Sequence, residues 1–175
     1  LITSLEGIRF ATNISSLDLS GNGGWFGASL SNLDLNDFSE MKNLVNLENL
    51  NLSANNIRSF EIPTETKHLR FLSLANNALT NLVLRDGLKK LEEIGVGANS
   101  LIDCEFPSGL IHLRSLDLSY NDLIKLDLQS DMTWLISLHA QDNRIGEFSL
   151  PSQLVRLETL GLSGNAITNL TLPPG

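Results

Sequence analysis

"LRSLDLSYNDLIKLDL", Leu113–Leu128, places leucine at spacings of three, two, five, three and two around a single asparagine, Asn121. The alternation Leu116-Asp117-Leu118 is the pattern of a short strand whose two leucines face one way while the residue between them faces the other. Asn121 follows where such a strand has to turn.

Outward from this stretch the same frame recurs in "LRFLSLANNAL", "LEEIGVGANSL", "LISLHAQDNRI" and "LETLGLSGNAI". Its asparagines, Asn55, Asn77, Asn99, Asn121, Asn143 and Asn165, lie 22 residues apart without a slip. A degenerate copy, "ISSLDLSGN", ends at Asn22, which is 33 residues before Asn55, one period plus 11. A second apolar pair begins five residues after each asparagine, as in Phe60/Ile62, Leu82/Leu84 and Leu126/Leu128, and Pro63, Pro107, Pro151 and Pro173 follow such pairs. A fixed period of this length marks stacked units, none of which can bury its apolar face alone. Each unit supplies about seven apolar side chains, worth roughly 1.5–3 kcal/mol apiece when fully buried. Chain entropy offsets most of that gain. The asparagine amide can satisfy backbone groups of its own turn and of the adjacent one, and each such group left unpaired would cost about 1–3 kcal/mol.

This frame, L-x-x-L-x-L-x-x-N-x-L, resembles the leucine-rich repeat family over nearly the whole chain. The resemblance implies a solenoid of the α/β horseshoe class, mostly β, with a parallel sheet on the concave side. Short strands or irregular turns are expected on the convex side, with little helix. The second apolar pair followed by proline looks like the convex pattern of bacterial secreted and surface members, which implies an extracellular or cell-surface location. The expected organisation is one domain, residues 1–175, of about 7 repeats. It has an irregular N-terminal repeat or insertion at 23–46 and a C-terminus cut in mid-repeat, whose uncapped apolar edge offers a route to self-association. Within the insertion, "DFSEMKNLVNL" suits a short helix capped by Asp37 or Ser39.

Twenty acidic against 12 basic residues give a net charge of −8, which disfavours nucleic acid and anionic membrane surfaces as partners. No apolar run approaches the ~20 residues needed to cross a bilayer. Cys104, the only cysteine, excludes an internal disulfide framework and a Cys-based zinc cluster. It fills the slot of Leu82, Leu126 and Leu170 and is expected to be buried as a small hydrophobe. There is no phosphate-cradling glycine loop and no HExxH motif, and His68, His112 and His139 fall in different rows or repeats, so no cofactor or metal is expected.

Stacking turns residues one period apart into spatial neighbours roughly 5 Å apart. The row Glu48, Arg70, Glu92, Arg114, Ile136, Glu158 alternates in sign over its first four members, as an exposed ion-pair ladder would. His68, Lys90, His112 and Arg156 form a mildly basic rim before the strands. Asp103, Glu105, Asp127 and Glu147, with Lys125 among them, make a solvated acidic convex face. Asn13, Asn51 and Asn169 match the glycosylation pattern.

The candidate ligand-binding residues are Asp117, Tyr120, Trp134, His139, Gln141 and Asp142, where "WLISLHAQDN" breaks an otherwise small and featureless face. Aromatic residues in partly apolar surroundings are what binding hot spots contain. Asp117 and His139 should be neighbours and could touch. No nucleophile elbow or oxyanion hole accompanies them, so no enzyme activity is expected. Trp25 and Phe26 form a secondary candidate, either a contact loop or a cap over the first repeat. The expected function is a non-catalytic recognition module binding a protein through its concave sheet. The alternative is a carbohydrate-binding or spacer domain of a secreted polysaccharide-acting enzyme, with Tyr120 and Trp134 as stacking platforms.

Overall fold

The computed structural model describes residues 5–22 and 38–173. The first apolar alternation of each repeat becomes a three-residue strand, and in several repeats the second does too. In chain order the strands are β1 (Ser16–Asp18), β2 (Asn49–Asn51), β3 (Ser59–Glu61), β4 (Phe71–Ser73), β5 (Asn81–Val83), β6 (Glu93–Gly95), β7 (Ser115–Asp117), β8 (Ser137–His139), β9 (Glu147–Ser149), β10 (Thr159–Gly161) and β11 (Asn169–Thr171). Seven of them form one parallel sheet in the order β1-β2-β4-β6-β7-β8-β10. On the other side β3 pairs with β5 and β9 with β11, again in parallel. The intervening repeats cross that side without regular structure, at 103–106 and 125–128. The result is a parallel-sheet solenoid with almost no helix, the architecture expected of the repeat.

Register follows the leucines. Leu72 pairs with Ile94, Ile94 with Leu116, Leu116 with Leu138 and Leu138 with Leu160. Leu17 pairs with Leu50, so the 11-residue excess is absorbed between β1 and β2 without displacing a single rung. These leucines and the second apolar pairs fill one continuous core, and Leu113, Leu116, Leu118 and Leu123 are fully excluded from solvent. Burial thins towards the last repeat, where Leu160 and Leu162 are partly exposed and Leu170 and Leu172 are half exposed, because no further coil covers them among the described residues.

The asparagines occupy the turn after each strand and connect neighbouring coils. Asn121 Nδ2 donates to the carbonyls of Leu118 in its own coil (3.1 Å) and Val96 in the preceding one (3.1 Å), while its Oδ1 accepts the Leu101 N–H (3.0 Å). Asn99 repeats the set with Val96, Leu74 and Leu79, and Asn143 with Ala140, Leu118 and Leu123. The residue before each of these asparagines is left-handed: φ is 54–56° at Ala54, Asn76, Ala98, Tyr120 and Asp142. Non-glycine residues resist this conformation. The turn holds it because the asparagine fixes the backbone on both sides.

One local expectation is corrected. The 39–43 segment is a short 3-10 helix, Ser39–Asn43, with Phe38 at its N-cap in place of Asp37 or Ser39. Phe38 is buried edge-on against Phe60, with ring centroids 4.8 Å apart. Anchoring an aromatic in the core sets the entry to this helix, and Asp37, like the Trp25/Phe26 segment, lies outside the described residues.

Two stability changes follow. Asn121→Ala leaves the Leu101 N–H without its partner and takes one of two amide donors from the Val96 and Leu118 carbonyls, and is expected to lower unfolding free energy by about 1–3 kcal/mol in urea titration. Ala98→Gly relieves the left-handed turn and is expected to raise it by up to about 1 kcal/mol.

Candidate functional site

Because each central leucine points into the core, the residues on either side of it point out, and two rows line the sheet's open face. One row is Asp18, Asn51, Ser73, Gly95, Asp117, His139 and Gly161; the other is Ser16, Asn49, Phe71, Glu93, Ser115, Ser137 and Thr159. At the β1–β6 end they enclose a shallow groove of about 310 Å³ lined by Asp18, Asn49, Asn51, Phe71, Ser73 and Glu93, among others. Phe71 is the one aromatic in its row, and the Arg70 guanidinium lies 5.2 Å from its ring centre.

Asp117 and His139 are register partners in adjacent strands, but their side chains do not meet as anticipated. Asp117 Oδ1 accepts the Ser119 N–H (3.0 Å) and hydroxyl (2.6 Å), closing a local turn. Asn51 does the same with Ser53, and Asp18 accepts the Ser20 N–H. Hydrogen bonds from Ser20 hold the Asp18 carboxyl below its ordinary range. The Asx-x-Ser pattern is therefore a structural device of the strand end, and it turns Asp117 away from its neighbour. Asn51, one of the glycosylation matches, is spent in the same way.

His139 is engaged within its own strand segment: Ser137 Oγ lies 3.0 Å from Nε2 and Gln141 Nε2 lies 3.2 Å from Nδ1. A serine against an imidazole invites comparison with a nucleophile–base pair. Two of the nearby backbone donors are committed to the sheet, however, with Ser137 N–H on the Arg114 carbonyl and Ala140 N–H on the Gly161 carbonyl. Gln141 lies across Gly161, where a Cβ would come within 2.6 Å of its amide. Asp142 and Tyr120 sit in the left-handed turns, Tyr120 with 63% of its surface exposed.

Trp134 belongs to a different group. It precedes β8 and lies on the rim, five residues from His139, up to about 16 Å along an extended chain. Arg156 stacks over its ring at 3.9 Å, Arg114 lies at 5.6 Å, and the His112 ring centre is 6.5 Å away. This changes the expected charge ladder. Arg70 bonds Glu92 at 2.8 Å and approaches Glu48 at 3.8 Å, but the ladder stops there, because Arg114 turns to the indole of the next coil. The hydrogen bond from Arg70 holds the Glu92 carboxyl below its ordinary range, with the nearby charges of Arg70, Arg114 and His112 acting in the same direction.

On the convex side Asp103, Glu105, Asp127 and Glu147 are exposed, and Lys125 pairs with Asp127 at 3.6 Å. Cys104 between two of these acids is buried, and burial, reinforced by Asp103 and Glu105, pushes its thiol up to about 12. No group of three His, Cys, Asp or Glu side chains among the described residues is placed to hold a metal ion, and no described helix is long and apolar enough to cross a membrane.

The Leucine Rich Repeat family model matches residues 46–67 and 112–131, two of the coils just described. The chain is thus similar to the leucine-rich repeat family, whose model covers two of its coils. Its fold is similar to that of the functional domain of InlJ from Listeria monocytogenes, described as including a cysteine ladder, at 24% identity and a TM-score of 0.72 over 95% of this chain and 38% of that one. It is similar to a leucine-rich repeat protein of Leptospira interrogans at 26% identity and a TM-score of 0.66, covering 94% of this chain and 44% of that one. A chain of the LRIM1/APL1C complex is also similar, at 24% identity and a TM-score of 0.68, with 94% of this chain and 33% of that one covered. This repeat protein thus spans less than half the length of each of these three structures. No curated protein matches it by sequence.

The Phe71 row lies outside the columns after the first leucine, between the strand leucines and after the second strand leucine. Reading the column one residue before the central leucine would have exposed it, since Phe71 and Glu93 break a run of small polar residues there. For the repeat protein's lone cysteine, iodoacetamide at pH 8 is expected to leave Cys104 unmodified in the folded state and to alkylate it fully in denaturant, as intact mass would record.

Proposed function

We propose that this leucine-rich repeat domain is a non-catalytic recognition module that binds another protein across the concave sheet. The observation that carries this reading is the open face itself. Seven parallel strands at about 4.8 Å spacing present an uninterrupted surface whose small residues allow a partner's backbone to approach. Phe71, His139 and the carboxylates and amides beside them supply an anchor and directional contacts. Preorganisation favours binding over a sheet of this kind, since its outward side chains are already held by Ser–Asp, Ser–His and Arg–Glu bonds. The fold shared with a chain of the LRIM1/APL1C complex supports a role in protein assembly at the level of the fold. The convex pattern's resemblance to bacterial secreted and surface members supports an extracellular setting.

A sugar platform at Trp134 receives less support, because Arg156 already covers a face of the indole. A hydrolytic role for His139 receives less support, because the Ser137 and Ala140 N–H groups beside it are committed to neighbouring coils.

Immobilised wild-type domain should retain a protein partner that a Phe71→Ala/His139→Ala variant retains at least about tenfold more weakly, the loss of two central hot-spot contacts. A convex variant, Arg85→Gln, should behave as wild type. Equal retention by all three would place recognition elsewhere, and loss of glycan-array binding on Trp134→Ala would favour carbohydrate.

A further inference from the structure

The rim around Trp134 is a second interaction surface with a chemistry of its own. In a chain with 20 acidic residues, Arg114 and Arg156 form no ion pair among the described residues, although both are exposed. They are gathered on the Trp134 indole, Arg156 at 3.9 Å and Arg114 at 5.6 Å, with His112 beside them. Lys90 precedes His112 by one period in the same row. Glu92, whose carboxyl feels the charge of Arg114, is hydrogen-bonded by Arg70 at 2.8 Å. A guanidinium stacked on an aromatic face has lost much of its conformational freedom while its N–H edge still points to solvent, which suits bidentate capture of a carboxylate.

We infer that the Arg114–Trp134–Arg156 rim docks an acidic segment of a protein partner, the two guanidinium groups binding its carboxylates while Trp134 holds them in place. The occupant is read from charge complementarity and position. The cluster lies just before β7, β8 and β10, so a chain crossing the concave sheet reaches it without leaving the surface. An indole already stacked by Arg156 is poorly placed to receive a sugar ring, and a peptide carboxylate needs only the exposed edges of the guanidinium groups. The inference rests on the protein-recognition reading above. Its failure is separable, since it is read with a peptide on rim variants and not with a captured partner on Phe71 and His139.

The test is titration of the whole chain with a ten-residue Glu/Asp-rich peptide, its Gln/Asn counterpart and a sulfated heparin-type oligosaccharide. Isothermal calorimetry gives affinity and the arginine Nε–Hε NMR signals give location. The acidic peptide should bind in a salt-sensitive manner and shift the Arg114 and Arg156 signals, while the amide peptide should not bind. Arg114→Gln and Arg156→Gln should each weaken binding about tenfold, the loss of a charge-assisted hydrogen-bonded contact. Trp134→Leu should weaken it through Arg156 even though both arginines remain. Arg85→Gln should have no effect. Acidic-peptide affinity unchanged in both arginine variants, or equal affinity for the two peptides, would overturn the inference. Oligosaccharide binding more than tenfold tighter at the same arginines would also overturn it, in favour of a polyanionic glycan.

Discussion

The hydrogen bonds of one asparagine side chain, repeated coil after coil, are the constraint on which the rest depends. Each amide donates to the carbonyls that end its own strand and the preceding one, and accepts an N–H from the preceding coil, as Asn121 does with Leu118, Val96 and Leu101. A leucine core alone is non-directional and would tolerate sliding of one coil against the next. The asparagines make the stack a lattice with one permitted offset, and at Asn121 and Asn143 they do so at buried positions where an unpaired group is costly. The left-handed residues before them show the strength of that constraint, since Tyr120 and Asp142 are held where a side chain resists going.

Fixing the offset has a consequence for function. Once coils cannot slide, each outward residue has two permanent neighbours from adjacent repeats, and the surface becomes a mosaic of rows. Most of the mosaic is occupied with its own support: Asp117 with Ser119, His139 with Ser137 and Gln141, Arg70 with Glu48 and Glu92. Two places differ. One is the shallow groove around Phe71 on the sheet, and the other is the rim where two arginines lean on Trp134 and form no ion pair among the described residues. The first suits shape recognition and the second charge recognition, and both lie on the strand side of the solenoid.

Nearly all of the fold was legible in the sequence, because the periodicity of Asn55 through Asn165 translates directly into register, and the alternation of leucines into strands. The site was less so. Columns place residues side by side but do not say where a flexible side chain turns. Asp117 and His139 are neighbours as the columns require, yet a serine two residues along offers Asp117 a closer partner than a histidine in the next strand. Arg114 follows the sign alternation on paper, while in space Trp134 of the next coil offers it a flat apolar face, and Arg70 has already claimed Glu92. Phe71 stands in a column that neither the leucine frame nor the sign alternation singles out, although nothing physical hides it. A short helix does fall within "DFSEMKNLVNL", as the 3-10 turn Ser39–Asn43, but its cap is Phe38, since the burial of Phe38 against Phe60 outweighs the local preference for a polar cap.

The most direct test of the account is native-state amide hydrogen exchange at the N–H groups of Leu79, Leu101 and Leu123, which donate to Asn99, Asn121 and Asn143. If the asparagines lock the coils, these amides exchange together, and only through the global unfolding that urea titration measures independently. Exchange at the rate of an unstructured chain, or at three unrelated rates in a protein that is otherwise folded, would contradict it.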